Sequence, residues 1–273
     1  MEAAATTIET GELLVIARRA AAAGARVARA WSRRREELQV EEKAAADDLV
    51  SQADRDTEAA IRDVLGQMRP QDGILGEEEG MAAGNGEVHW LVDPIDGTTN
   101  YLYGRPDWAV SVAAVRSADR RTLVGVVAEP ALGRVTDASL GAGAWSDGRR
   151  LRRSGGLELE RALVEVNLGR PLQRPLAGEM LSALTPRVRD VRRGGSAAAA
   201  LAQVADGRAD AYWGPGLQGW DGAAGALIAR EAGCEVGDLE QGTDGDWPSG
   251  GDVLAAPPPL WEPLREILRG VYR

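Results

Sequence analysis

Trp90-Leu91-Val92-Asp93-Pro94-Ile95-Asp96-Gly97-Thr98-Thr99-Asn100 is the stretch from which the rest of the chain can be read. The apolar run Val88 to Val92 predicts a buried strand. Asp93-Pro94 predicts its end, because proline offers no N–H to a ladder and restricts the residue before it. Asp93 and Asp96 then place two carboxylates at the mouth of that strand. Gly97-Thr98-Thr99 follows, where glycine lets backbone N–H groups approach an anion, above all if a short helix begins there. Carboxylates beside an anion cradle are compatible only if cations lie between them. Hard cations such as Mg²⁺ accept carboxylate, carbonyl and phosphate oxygens together. The stretch therefore predicts a metal-dependent phosphate site. An isolated Asp-Pro-x-Asp-Gly would be read instead as a turn before an Asp-capped helix, so the remainder of the chain has to decide.

The chain has 273 residues with 44% apolar side chains, enough for a globular protein with a sizeable core. Its 32 Lys and Arg against 42 Asp and Glu leave a net charge of −10. That balance argues against nucleic acid as a partner and implies that an anionic substrate needs intervening cations. His89 is the single histidine and reads as a packing or edge residue, so neither a His-rich metal site nor a two-histidine phosphoryl relay is supported. Cys234 is the single cysteine, which leaves no internal disulfide. The position where a cysteine phosphatase would need Arg holds Glu240. No run approaches membrane-spanning length and no leader pattern is present, so a cytoplasmic protein without membrane partners is expected.

Taken in order, Thr7 to about Leu38 carries apolar residues at helical spacing, predicting a long amphipathic helix interrupted near Gly24. A second helix is expected to start after Asp54 or Asp56. Asp54-Arg55-Asp56-Thr57 superficially matches an aspartyl nucleophile motif, but that motif follows a buried strand and ends in Thr or Val, whereas Glu58 holds the fifth position, so that reading is rejected. Ile74 to Gly76 predicts a brief strand ending in Glu77-Glu78-Glu79, and Met81 to Glu87 a mobile surface loop. Trp108–Val115, Thr122–Ala128, Arg134–Ala138 and Gly143–Trp145 predict neighbouring antiparallel strands, with Asp147-Gly148 as a hairpin turn. Ser154 to Glu160 reads as a connection. Beyond it strands and helices alternate: strand 162–166, helix 175–184, strand 188–192, helix 196–205, strand 210–213 and helix 221–232. That order predicts an α/β half with partly parallel strands. Leu254 to Val271 gives a last strand, a Pro-Pro-Pro turn and a closing helix. Gly214-Pro215-Gly216-Leu217-Gln218-Gly219 fits a bare dinucleotide pattern, but too little chain follows for a second βαβ unit. Asp221 reads as the N-cap of its helix.

Four elements, in order, resemble the inositol monophosphatase family: Lys43 with Asp48-Leu49-Val50-Ser51-Gln52-Ala53-Asp54, Gly76-Glu77-Glu78, Asp93-Pro94-Ile95-Asp96-Gly97-Thr98, and Trp220-Asp221-Gly222-Ala223-Ala224-Gly225. The likeness covers most of the chain. It implies an α/β (α+β) fold, a layered α-β-α-β-α sandwich formed by residues 1–273 as one domain, with halves of about 1–153 and 154–273. It also implies a Mg²⁺-dependent, lithium-sensitive phosphatase, usually a homodimer, acting on a small phosphorylated substrate. By this resemblance Glu77, Asp93, Asp96, Asp221 and the Ile95 carbonyl hold Mg²⁺. Thr98 and Glu77 orient the water, Gly97 and Thr98 receive the phosphate, and Asp54 and Lys43 belong to the surrounding polar network. Gly195-Ser196-Ala197 borders the alcohol part of the substrate, with Asp96 and Asp221 on the substrate side. Inositol 1-phosphate is the leading substrate; histidinol phosphate, a sugar phosphate or a nucleotide 3′-phosphate are alternatives, and a non-catalytic binding protein is the alternative of another class. Inositol-specific members carry a glutamate where this chain has Gly214, which weakens the expected grip on a polyol. A Gly214→Glu variant is therefore expected to lower KM for inositol 1-phosphate.

Overall fold

The computed structural model describes residues 9–38, 40–42, 49–153, 155, 157–240 and 251–271. Lys43, Thr7 and Ser154 lie outside them. The chain opens with α1 (Thr10–Ser32), whose Leu13, Ile16, Ala17, Ala20, Ala21 and Ala28 form one buried stripe. The helix is not interrupted at Gly24. A Cβ there would lie 2.7 Å from Ile61 Cδ1, so the glycine serves the close packing of the next helix rather than a break. β1 (Val40–Glu42) and β2 (Leu49–Ser51) form a small antiparallel pair. α2 (Gln52–Met68) begins earlier than expected, with Ser51 as N-cap and Asp54 inside the first turn.

A mixed sheet follows, built from β3 (Gly73–Gly76), β4 (Gly80–Ala82), β5 (Val88–Asp96), β6 (Ala109–Arg116), β7 (Thr122–Glu129), β8 (Arg134–Ser139), β9 (Gly143–Ser146) and β10 (Arg149–Arg150). Its spatial order is β10-β9-β8-β7-β6-β5-β3-β4, antiparallel except for the β3/β5 pair. Two expectations are corrected here. Gly80 to Ala82 pairs with β3, so the expected loop over 81–87 starts with an edge strand. β5 also runs through Asp93-Pro94 to Asp96, because the register shift against β6 falls between Asp93 and Asp96, where a missing N–H costs no ladder bond. The Asp147-Gly148 turn forms as expected, with both residues at positive φ.

The C-terminal part supplies β11 (Leu163–Val166), α4 (Arg174–Leu184), β12 (Asp190–Arg192), α5 (Ala197–Asp206), β13 (Ala211–Gly214), α6 (Gly219–Glu231), β14 (Glu235–Gly237), β15 (Val253–Ala256) and α7 (Pro258–Arg269). A short helix, α3 (Thr98–Leu102), lies between β5 and β6. The second sheet has order β12-β11-β13-β15-β14, with β12, β11 and β13 parallel. β14 was not anticipated from the sequence.

Four packed interfaces define the layers. α1 and α2 cover one face of the first sheet through Val110, Val112, Ala114, Val124 and Val126. The alternate residues Ala109, Ala113, Val115 and Val127 face α5 and α6. Those two helices meet the second sheet through Tyr212, Val253 and Ala255, and its far face packs Trp213, Val164 and Leu254 against α4 and α7. Period-two alternation with both sets buried is why β6 and β7 read as continuous apolar runs. The architecture is the expected α-β-α-β-α sandwich. Among the described residues no helix is long and apolar enough to cross a membrane.

Candidate metal centre

In a regular strand Asp93 and Asp96 would point to opposite faces, since side chains alternate. The irregularity at Pro94-Ile95 changes that parity, and both carboxylates converge with Asp221. Carboxylate oxygens of Asp93, Asp96 and Asp221 all lie within 4.8 Å of one another. Each is held differently. Asp96 Oδ2 accepts the Ser196 hydroxyl at 2.7 Å and the Ala198 N–H at 2.6 Å, at the first turn of α5. Asp221 is not the N-cap of α6: Gln218 takes that place, and Asp221 Oδ2 accepts the Gln218 N–H at 2.8 Å. The Trp220 carbonyl accepts the Ser111 hydroxyl at 2.9 Å, tying this helix start to β6. Asp93 is buried, and its Oδ1 has no hydrogen-bond donor.

Electrostatics follow from this burial. Desolvation pushes the Asp93 acid well above the ordinary carboxylate range, and the charges of Glu77, Asp96, Asp221 and Asp54 push it further. Desolvation likewise raises Asp221 to about 8, assisted mainly by Asp96. Asp96 is raised to about 6 by desolvation, against hydrogen bonds from Ser196, Ala198 and Ala197 that pull it down. Mutual repulsion of buried carboxylates, an orphaned Asp93 oxygen and an all-oxygen donor set are the features a hard divalent cation would satisfy. The residues present fit such an ion.

The other expected residues fall around this group. Glu77 lies at the end of β3, its N–H donating to the Val92 carbonyl at 3.1 Å. It is near enough to bear on Asp93 and Asp221, yet it does not belong to the tight trio. Asp54 is buried in the first turn of α2, accepting the Ser51 N–H at 2.9 Å and the Ser51 hydroxyl at 2.6 Å. Thr98 donates its hydroxyl to the Ile95 carbonyl at 3.2 Å. Gly97, at φ +93°, starts α3 and packs against Ser196 Cβ. Gly195, at φ +97°, leaves room for Asn100, whose amide donates to the carbonyls of Asp107 and Gly194. Ser196 caps α5, accepting the Ala199 N–H, and Ala197 begins that helix.

Sequence reasoning missed Glu58. Fully buried, it accepts the N–H groups of Glu78 at 2.8 Å and Glu79 at 3.1 Å, and it pairs with Arg62 at 2.8 Å. Gly76 has no Cβ because this carboxylate occupies the space. Glu58 thus fixes the backbone that carries Glu77. The pairing of Glu58 with Arg62 at helical i, i+4 spacing was the only available signal, and such pairs are common on surfaces. Glu58→Gln is expected to raise the Mg²⁺ concentration for half-maximal activity about tenfold, as outer groups around metal sites do. An unchanged Mg²⁺ requirement in the folded variant would show that Glu58 only supports the loop.

Gly214 also differs from expectation. A Cβ there would lie 2.2 Å from Tyr212 Oη and 2.8 Å from its Cζ. A glutamate cannot simply be added, and Gly214→Glu alone would report a displaced tyrosine rather than a gained carboxylate. The variant becomes informative only when combined with a smaller residue at 212.

The layered fold thus gathers an oxygen-only group of carboxylates that could hold a metal ion. The sequence model of the inositol monophosphatase family matches residues 10–270. Inositol-1-monophosphatase SuhB of Mycobacterium tuberculosis is 45% identical over 207 residues, covering 72% of this chain and 71% of that protein. Nus factor SuhB of Xylella fastidiosa is 40% identical over 196 residues, covering 71% and 70%. The crystal structure of extragenic suppressor protein suhB from Bartonella henselae superimposes with a TM-score of 0.89 at 34% identity, covering 94% of this chain and 98% of that one. The chain belongs to the inositol monophosphatase family and is a phosphoric monoester hydrolase.

Proposed function

We propose that the protein is a Mg²⁺-dependent phosphomonoesterase whose best substrate is inositol 1-phosphate. The carrying observation is the convergence of Asp93, Asp96 and Asp221 within 4.8 Å, with Asp93 buried and its Oδ1 unpartnered. In this reading Glu77, Asp93, Asp96, Asp221 and the Ile95 carbonyl hold the ions. Mg²⁺, when bound, offsets the charge of the centre and of the phosphate and favours ionisation of the attacking water. The chain supplies the rest. Thr98 and Glu77 orient the water, the hydroxyl of Thr98 being itself fixed by Ile95. Gly97 and Thr98 offer N–H groups to phosphate oxygens where the left-handed glycine opens the backbone. Ser196 and Ala198 steady Asp96 through its Oδ2. Gly195, Ser196 and Ala197 border the alcohol. The Asp54 carboxylate, pinned by Ser51, adds negative potential next to Asp93. Proton transfer needs no histidine, since Glu77 lies at the same centre.

The test is phosphate release from inositol 1-phosphate, histidinol phosphate, fructose 1,6-bisphosphate and adenosine 3′,5′-bisphosphate, each with Mg²⁺ and with chelator. Chelator-sensitive turnover, fastest in kcat/KM on inositol 1-phosphate, is expected. A folded protein that turns over none of them, with or without Mg²⁺, would overturn the reading and favour a binding role. Homodimer formation and lithium inhibition belong to the same proposal, read by light scattering and by titration of the assay with lithium.

A further inference from the structure

Ser111 is the one polar side chain among the buried residues of β6, whose other buried positions hold only Ala and Val. It is fully buried and stands directly opposite Asp93 of β5, at the last regular pair before the register shift. Opposed residues of antiparallel strands share a face, with Cβ atoms about 5 Å apart. Leu91, Ala113 and Val127 mark that face as the one covered by α5 and α6. Its neighbours show that an apolar filler suffices there, so the hydroxyl calls for a reason.

That hydroxyl donates to the Trp220 carbonyl at 2.9 Å. Trp220 lies in the first turn of α6, where a helical carbonyl already accepts the N–H four residues on. The bond is therefore not required to satisfy the backbone; it fixes where the helix begins. One turn further, a Cβ at Gly125 of β7 would stand 2.7 Å from the Ala224 Cα, so backbone contact holds α6 to the sheet there. Asp221 lies between these two anchors. It is the one carboxylate of the trio that β5 does not carry, and it is held within 4.8 Å of the others against mutual repulsion.

We propose that Ser111 is a positioning residue that fixes the separation of Asp93 and Asp221, and with it the preference of the centre for a small divalent cation over a larger one. The inference rests on the Mg²⁺ reading above. Mg²⁺ takes oxygens at about 2.0–2.1 Å in a near-ideal octahedron, whereas Ca²⁺ accepts them at about 2.3–2.6 Å in looser geometry. Carboxylates held close discriminate between the two ions, and carboxylates free to part do not. Without the Ser111 bond, repulsion moves Asp221 outward together with the start of α6. The loosened group loses Mg²⁺ affinity and keeps most of its affinity for Ca²⁺.

The experiment titrates the full-length wild type, Ser111→Ala and Ser111→Thr with Mg²⁺, and separately with Ca²⁺, by isothermal calorimetry without substrate. Ser111→Ala is expected to weaken Mg²⁺ binding about tenfold, as outer groups around metal sites do, and to lower the Mg²⁺-to-Ca²⁺ affinity ratio severalfold. Ser111→Thr keeps the hydroxyl and is expected to hold the ratio near the wild-type value. A residue that only packs the sheet would lower the melting temperature in chelator and weaken both ions alike. Equal loss of both ions in Ser111→Ala, or loss of neither, would overturn the proposal. So would a Ser111→Thr ratio matching that of Ser111→Ala in a protein that melts like the wild type. If the wild type binds neither ion, the Mg²⁺ reading itself fails, a result distinct from an unchanged ratio.

Discussion

Asp93→Asn is expected to cut kcat/KM at least about a thousandfold while making the metal-free protein more stable. The first effect follows from what the residue faces. Asparagine keeps the shape but removes the charge at the most buried position of the centre, and ~4 kcal/mol of lost charge stabilisation is about a thousandfold in rate. The second follows from repulsion. Burial is the largest influence on Asp93, and Glu77, Asp96, Asp221 and Asp54 all add to it, so a neutral side chain relieves a strain that the wild-type chain carries. Relief of about 1 kcal/mol would raise the melting temperature by roughly 3 °C. Thermal melts in chelator, at a pH where the carboxylates are ionised, measure it against the wild type. An inactive variant with a lower melting temperature would mean that Asp93 is structurally satisfied and that the centre is not poised for a cation.

Stability of the metal-free protein should also fall as pH rises through the range in which Asp96 and Asp221 ionise. Their folded-state values, about 6 and about 8, lie above the ordinary 3.8. The stability they contribute is complete below about pH 4 and is lost as pH climbs past about 6 and then about 8, because the folded state binds more protons than the unfolded one there. Mg²⁺ competes with those protons. The stability gained on adding millimolar Mg²⁺, read from melting curves, should therefore grow from about pH 6 to about pH 8, by roughly 1.4 kcal/mol per pH unit for each proton displaced. The gain is read as a difference, so acid groups elsewhere in the chain cancel. A Mg²⁺ gain that stays flat across this range would show that the carboxylates bind no shared proton.

Most of the centre was legible because its chemistry is concentrated in short, unusual segments. Asp93 to Thr98 couples a strand end, two carboxylates and a glycine, and few structural needs other than an anion and a cation call for that combination. Trp220-Asp221 was legible for the same reason. What escaped was set by tertiary contact. Pro94 was read as the end of β5, but a register shift absorbs it, and that shift is what turns Asp93 and Asp96 the same way. Asp54 and Asp221 were read as possible helix starts, yet both sit one turn in and reach back to the true caps, Ser51 and Gln218. Glu58 and the Tyr212–Gly214 contact carry no local signature at all. Their meaning comes from what the end of β3 and the fold of β13 bring against them.

The join between the two halves of the chain limits how such proteins can be recombined. Asp96 is gripped by Ser196 and Ala198, Asn100 by the Gly194 carbonyl, and Ser111 by the Trp220 carbonyl. Gly97 and Gly195 face these partners with no side chain to spare. A chimera spliced in the connection near residue 160 would inherit every one of these contacts from two parents at once. Substitutions on either side are therefore judged by what stands opposite, and the halves can drift apart in sequence only as matched pairs.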